Sequence, residues 1–292
     1  MTTATQEWDE VGVGVFRRRQ PGLDLNVGVV VGDGEVLLVD TGAGPTEAAA
    51  LHLAVRRVSP HPVRHVVNTH FHFNHTFGNS EFSVAAIWAH PRCAAMLGEV
   101  TPTDVAHLTR TFEHLAAENP ARASVFEALA SDVRAAKIVL PGELVGEGAV
   151  VDVGGRRVEL HHLGRGHTDG DLVAAVPDAG VVFAGGLVRG TGEPRFVDAW
   201  PLEWPATLLA LLRLGLPTIV PGHGVVMGPE DVTAQTEQLV DIAHLCTLYL
   251  RGGMNDEGVL RRAPFEPRTS IVALHRAKAT LARLPHGDPA QI

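Results

Sequence analysis

The chain has 292 residues, 45% of them hydrophobic and 20% charged, an ordinary composition for one globular domain with a large core. Its net charge of −9 argues against a nucleic-acid surface, which needs clustered basic residues. The two cysteines have no paired spacing, the N-terminus lacks a signal-peptide core, and no apolar run could span a bilayer, so we expect a cytoplasmic protein without a membrane partner.

The first ninety residues predict strands with one helix between them. Apolar runs bounded by glycine, proline and polar residues predict strands at 11–16, 26–31, 35–39, 63–68 and 84–89. Gly32-Asp33-Gly34 joins the second and third of these as a hairpin. Pro45 opens a helix that ends near Val58, before the next prolines.

Residues 91–138 change to helical periodicity, with apolar side chains every three or four positions. This stretch interrupts the strand series, so we expect a helical insertion that covers the mouth of a site. Strands are predicted again at 144–153, 157–163, 172–176, 181–184 and 218–220, and helices at 205–214, 230–250 and 254–284.

Two strand-plus-helix halves predict a single α/β domain over residues 1–292. We expect an αββα four-layer sandwich, with helices outside two packed sheets. The helical insertion occupies about 91–138 and the C-terminal helices about 230–285.

A cluster of histidines follows the strand predicted at 63–68. Residues 69–75 read THFHFNH, which places His70, His72 and His75 where that strand enters a loop. Histidines at i and i+2 leave a strand on the same side, and neutral imidazole is the commonest protein ligand of zinc. Two glycine-flanked histidines, His167 and His223, also follow apolar segments. The pattern predicts a metal site.

The cluster resembles the first motif, His-x-His-x-Asp-His, of the metallo-β-lactamase-fold superfamily. Four further blocks stand in the order of that family: VDTG at 39–42, GHTDGD at 166–171, VFAGGL at 182–187 and PGHG at 221–224. The resemblance implies a metallo-β-lactamase-like αββα sandwich. It also implies a first zinc on His70, His72 and His167, and a second on an aspartate, His75 and His223.

Two residues depart from the family pattern. Asn74 stands where the family has the aspartate of its first motif, and Gly186 stands where it has a metal-bridging aspartate. Two divalent ions about 3.5 Å apart repel by roughly 19 kcal/mol at an effective dielectric near 20, and bridging anions relieve this repulsion. We therefore expect one Zn²⁺, with a second weak or absent. Changing both residues to aspartate is expected to raise the metal content toward two.

Other side chains bear on the same site. Four acidic residues from elsewhere in the chain are candidates to replace the missing carboxylates, and three arginines are candidates to meet an anionic substrate. The acidic residues are Asp169, Asp171, Glu193 and Asp198, and the arginines are Arg165, Arg189 and Arg195. We expect Asp40 to orient a ligand from outside the metal shell.

Two classes of function remain open. The first is a zinc-dependent hydrolase of a lactone, thioester, ester or β-lactam, in which a metal-bound hydroxide attacks the carbonyl. Catalytic roles then fall to His75 and His223, as carriers of the leaving-group proton, and to their neighbour Asn74. The second is a non-hydrolytic metal lyase or isomerase, or a binding protein. The complete three-histidine set favours the hydrolase, whose partner is a small-molecule substrate, and a homodimer stays open.

Overall fold

The computed structural model describes residues 8–20 and 22–281. The strands are β1 Asp9–Gly12, β2 Val15–Gln20, β3 Leu25–Val31, β4 Val36–Val39, β5 Val63–Val67, β6 Ala86–Ala89, β7 Glu143–Leu144, β8 Gly148–Val153, β9 Arg156–His161, β10 Val173–Val176, β11 Val181–Gly190 and β12 Thr218–Gly224. The α-helices are α1 Pro45–Val55, α2 Phe73–Thr76, α3 Pro91–Gly98, α4 Pro102–Glu118, α5 Ala123–Ala135, α6 Trp204–Leu212, α7 Pro229–Leu250, α8 Asp256–Leu260 and α9 Pro267–Leu281.

The strands form one continuous sheet that curls so that its two halves face each other. Their order is β7-β6-β5-β4-β3-β12-β11-β10-β9-β8, with β2 added to β3 and β1 to β2. The halves meet where β3 pairs with β12, through the single residue pair Leu25 and His223. Leu37 and Val67 from one half share a buried cluster with Val158 from the other. The two packed sheets expected from the sequence are therefore halves of one sheet.

Helices cover both outer faces and complete the four layers. Helix α1 packs Leu51 and Val55 on the first half of the sheet. Helices α6, α7 and α9 cover the second half, with Trp204 fully buried among them. Helices α3, α4 and α5 form a separate cluster around Phe112 and Phe126. The predicted αββα sandwich with a helical insertion is confirmed.

Three predicted elements are each divided in two, and the strands predicted at 181–184 and 218–220 continue to Gly190 and Gly224. The strand predicted at 11–16 is broken by a turn in which Gly14 has φ 68°, a conformation that glycine adopts without strain, so β1 and β2 form a hairpin. The strand predicted at 144–153 is divided into β7 and β8. The predicted helix at 254–284 is divided into α8 and α9, and its last three residues lie outside the described residues.

Two further findings concern the cysteines and membrane-spanning segments. Cys93 and Cys246 are both buried, and burial raises the pKa of each thiol, that of Cys246 to about 12. None of the described helices combines the length and the apolar character that a membrane crossing requires.

Candidate metal centre

Two loops and the end of strand β12 bring the predicted histidines together at one edge of the sandwich. The loop after β5 carries His70, His72 and His75, with the last of these in α2. His167 lies between β9 and β10, and His223 lies near the end of β12. The backbone N–H of Leu172 donates to the carbonyl of Thr69 at 2.8 Å and ties the first two loops together.

His70, His72 and His167 point one ring nitrogen each toward a common centre. His72 Nδ1 lies 3.1 Å from His70 Nε2 and 3.1 Å from His167 Nε2. Zinc–nitrogen bonds of 2.0–2.1 Å in tetrahedral geometry separate two ligand nitrogens by about 3.3 Å. Across the described residues, this is the one group of three or more potential metal-binding side chains. Its spacing suits a tetrahedral ion.

Hydrogen bonds on the far side of each ring fix which nitrogen carries the proton. His72 Nε2 lies 2.9 Å from Asp198 Oδ2, and His167 Nδ1 lies 3.2 Å from the carbonyl of Arg195. These oxygens only accept, so both nitrogens must be donors. His70 Nδ1 lies 3.0 Å from the hydroxyl of Thr69, which itself donates to a carboxylate. All three inward nitrogens are then unprotonated, and each carries a lone pair that cannot form a hydrogen bond with the other two. A cation at the common centre would accept all three lone pairs.

His75 and His223 form a second, smaller pair. Their Nε2 atoms lie 3.3 Å apart, while His75 Nδ1 contacts Asp40 Oδ2 at 2.7 Å and His223 Nδ1 contacts the carbonyl of Leu23 at 2.9 Å. Both outer partners are acceptors, so both Nε2 atoms also carry lone pairs. The Asn74 amide is a third polar group beside this pair, and its Nδ2 lies 3.4 Å from His223 Nε2. This position offers two imidazoles and a neutral amide.

Asp40 connects the two groups of histidines. Its Oδ1 accepts the backbone N–H of Thr69 at 2.8 Å, and its Oδ2 accepts the Thr69 hydroxyl at 2.9 Å as well as His75 Nδ1. The side chain is buried and its φ of 62° is unusual for a residue other than glycine. The expectation that Asp40 orients a ligand from outside the metal shell agrees with these contacts.

Burial favours the neutral form of His70, His167 and His223. Burial first, and then the charge of neighbouring histidines, holds the pKa of His70 and His167 well below the ordinary value. Burial, then His75 and Arg189, lowers the pKa of His223 to about 2. Neutral imidazole is the form that binds a metal.

The four acidic candidates do not replace the carboxylates missing from the second position. Asp198 contacts the outer nitrogen of His72, and Asp169 pairs with Arg92. Asp171 accepts the backbone N–H and hydroxyl of Thr168, and Glu193 accepts the backbone N–H of Glu266. Among the residues described, Asn74 and Gly186 therefore have no acidic substitute.

Two supporting residues were not predicted. The Asn26 amide donates to the carbonyls of Pro221 and Gly224 at 2.8 and 2.9 Å and holds the loop of His223. The Thr69 hydroxyl bridges His70 and Asp40. Only the position of Thr69, directly before the histidine motif, was a signal in the sequence.

A cavity of about 990 Å³ opens beside the histidines. His72, His167 and His223 line one side, while α4 and α5 supply an apolar wall on the other. The insertion therefore lies over the site. Of the described residues that line the cavity, four are arginines and two are aspartates: Arg19, Arg122, Arg189, Arg195, Asp24 and Asp198. With neutral histidines the lining carries two net positive charges, although the whole chain carries −9.

Of the three arginines named from the sequence, two face this cavity. Arg189 is partly buried and Arg195 exposed, and burial, then the nearby charge of Arg195, lowers the pKa of Arg189. Arg165 instead lies over the Trp200 ring at 4.2 Å and 3.5 Å from a carboxylate oxygen of Glu203.

Comparison with known proteins assigns the family. A family model described as the metallo-beta-lactamase superfamily matches residues 21–223, which is more than half of the chain. The chain belongs to the metallo-β-lactamase superfamily. A solved metallo-β-lactamase from Pontibacter korlensis is similar, with a TM-score of 0.61, 19% identity, and coverage of 80% of this chain and 99% of that one. The protein TMB-1, whose structure was described together with substrate and inhibitor binding, gives a TM-score of 0.59, 18% identity, and coverage of 80% and 98%.

At 19% and 18% sequence identity, the similarity to these two structures shows a shared fold and does not show a shared activity. Membership in the metallo-β-lactamase superfamily together with the three-histidine group supports a metal-dependent, hydrolase-like protein. The superfamily also includes non-hydrolytic members.

Proposed function

We propose that the protein is a zinc-dependent hydrolase of a small carbonyl substrate, an ester, thioester, lactone or β-lactam, with one tightly held metal on His70, His72 and His167. The observation that carries this proposal is the set of three inward imidazole lone pairs, on the buried His70 and His167 and the half-buried His72, beside a large cavity. Three protein ligands leave the fourth tetrahedral position open, which is the arrangement of catalytic rather than structural zinc sites.

When bound, the zinc ion would supply Lewis-acid polarisation of the substrate carbonyl and lower the pKa of a water molecule toward 7. The protein's own residues would handle the proton of the leaving group. Asp40 holds the proton of His75 on Nδ1 and leaves Nε2 free to accept another. His223 Nε2, 3.3 Å away, is the adjacent carrier, and the Asn74 amide holds it in place.

The cavity supports a substrate that is anionic and partly apolar. Arg189 and Arg195 lie near His223, where they act on its pKa, and so an anionic group bound between them would lie close to the metal position. Leu108, Phe112 and Leu115 line the opposite wall and would contact an apolar remainder. A cavity of about 990 Å³ lies at the upper end of the range for small-molecule sites.

The second candidate is a non-hydrolytic lyase or isomerase, which the neutral Asn74 and Gly186 favour. His75, supported by a buried carboxylate, is a suitable base for removing a proton from carbon next to a carbonyl. In that reaction the metal position and His75 are used, but no water is consumed.

The test has two stages. The purified protein is dialysed against a mild chelator and its metals are counted, with about one zinc per chain expected. The zinc-loaded protein is then assayed on anionic and neutral esters, thioesters, lactones and β-lactams, and a His70→Ala/His167→Ala variant serves as the metal-free control. Zinc-dependent turnover supports the hydrolase. One bound zinc without turnover of any of these substrates overturns it in favour of the second candidate, and absence of bound metal overturns both.

A further inference from the structure

Gly186 lies against the ring of His167, in the space that a side chain would need. A Cβ atom built on Gly186 would lie 2.1 Å from His167 Cδ2, 2.7 Å from Cγ and 2.8 Å from Nε2. Such separations are far below van der Waals contact. Glycine is therefore required at position 186 while His167 keeps its present position.

His167 has little freedom to move away. Its Nδ1 donates to the carbonyl of Arg195 at 3.2 Å, and its Nε2 is one of the three inward nitrogens. The rings of His70 and Trp204 lie 4.8 and 5.8 Å from its ring, and the residue is 7% exposed. The clash includes Cγ, which moves only when χ1 turns, and turning χ1 would withdraw Nε2 from the centre.

We propose that Gly186 is a positioning residue that reserves the ring space of His167, so that shape as well as charge limits the site to one metal. This inference rests on the metal site of the proposed function. It replaces the expectation that aspartates at positions 74 and 186 would together restore a second metal. An aspartate at 186 would displace a ligand of the first metal before its carboxylate could bridge to a second.

The two positions are consequently not equivalent. Asn74 faces His223 across 3.4 Å, and an aspartate is nearly the same size, so Asn74→Asp adds a carboxylate to the His75 and His223 pair without a clash. Gly186→Asp adds a Cβ where the His167 ring lies. At saturating zinc, we expect Asn74→Asp to bind at least as much zinc as the wild type. We expect the double variant Asn74→Asp/Gly186→Asp to bind less zinc than Asn74→Asp.

The first experiment uses the smallest change, Gly186→Ala, which adds a methyl group and no ligand atom. Gly142→Ala is the matched control, because a Cβ there meets nothing within 4 Å. Zinc affinity is measured by chelator competition, the Co²⁺ absorption spectrum reports the ligand geometry, and circular dichroism reports folding. We expect Gly186→Ala to lose about 10- to 100-fold or more in zinc affinity and to show an altered Co²⁺ spectrum, while Gly142→Ala resembles wild type.

Each outcome bears on a different claim. Wild-type zinc affinity and an unchanged Co²⁺ spectrum in folded Gly186→Ala would overturn the inference alone. A second zinc in Asn74→Asp/Gly186→Asp that is missing from Asn74→Asp would overturn it too. A wild-type protein without metal would overturn the proposed function and, with it, the inference.

If the Gly186 variants do not fold, a crystal structure of the zinc-loaded wild type tests the inference instead. The inference requires the His167 ring to stay within 3.0 Å of a Cβ built on Gly186. A ring that has moved beyond 3.4 Å would leave room for a side chain and would refute it.

Discussion

At the scale of single residues, one hydrogen-bonded chain joins the two histidine groups. It runs from His70 Nδ1 through the Thr69 hydroxyl and Asp40 Oδ2 to His75 Nδ1. The Asp40 carboxylate accepts three donors, and every one of them is buried. A neutral amide has one oxygen and cannot accept all three, so Asp40 fixes the proton positions of both groups.

Asp40→Asn tests this role. If the amide oxygen keeps the bond to the Thr69 N–H, the NH₂ group faces His75 and drives its proton to Nε2, the atom that the proposed mechanism uses as a base. At saturating zinc we expect turnover to fall about 100-fold or more. Zinc affinity should fall as well, because the Thr69 hydroxyl loses its carboxylate acceptor and then no longer fixes the proton of His70 on Nδ1. Asp152→Asn is the control, because Asp152 is exposed near the end of β8 and accepts the backbone N–H of Gly155. Full activity in folded Asp40→Asn would show that His75 is not the proton acceptor.

At the scale of elements, the sequence was most informative where chemistry follows a strand directly. The histidines after β5 and at the end of β12 were found because an apolar run precedes each of them. Asp198 contacts His72 from 126 residues away, and Asn26 holds the His223 loop from 195 residues away. No local pattern contains such pairings, since the curl of the sheet creates them.

The turns between strands were the weakest predictions for a related reason. Residues 11–16, predicted as one strand, form an apolar run interrupted only by Gly12 and Gly14, and isolated glycines are compatible with a continuous strand. Strand pairing shows that the run contains a turn, because Glu10 pairs with Phe16 and the chain must reverse direction between them.

The insertion helices lend themselves to a test of substrate choice. Leu108 of α4 is half-buried and lines the cavity, away from the metal ligands. Leu108→Ala removes apolar contact area, so we expect KM to rise up to roughly tenfold for substrates with a long apolar group, with little change for short ones. Zinc content should stay the same.

Leu53→Ala is the matched control for Leu108→Ala. Leu53 lies on α1, is 72% exposed and does not line the cavity. If Leu108→Ala and Leu53→Ala have the same effect on long and short substrates, α4 does not contact the substrate.

At the scale of the whole molecule, the charge of the cavity opposes the charge of the chain. A net charge of −9 repels anions at long range, while four arginines against two aspartates attract them inside the cavity. The long-range repulsion is screened beyond about 10 Å at 0.1 M salt, whereas contacts inside a partly enclosed cavity are screened less. In the proposed function, selection of an anionic substrate would therefore depend on the cavity arginines.

Arg189→Ala and Arg195→Ala should accordingly weaken binding of anionic substrates and leave that of neutral analogues nearly unchanged. A partly exposed ion pair contributes up to about 1 kcal/mol to the binding free energy. Losing it corresponds to a rise in KM of roughly fivefold for each variant. Arg165→Ala removes the same charge from a residue that packs on Trp200 outside the cavity lining, and it should leave the preference intact. The measurement is the ratio of kcat/KM for an anionic substrate to that for its neutral analogue, at low and moderate salt. An equal fall of this ratio in all three variants would assign the effect to overall charge, and the cavity would then have no part in choosing an anion.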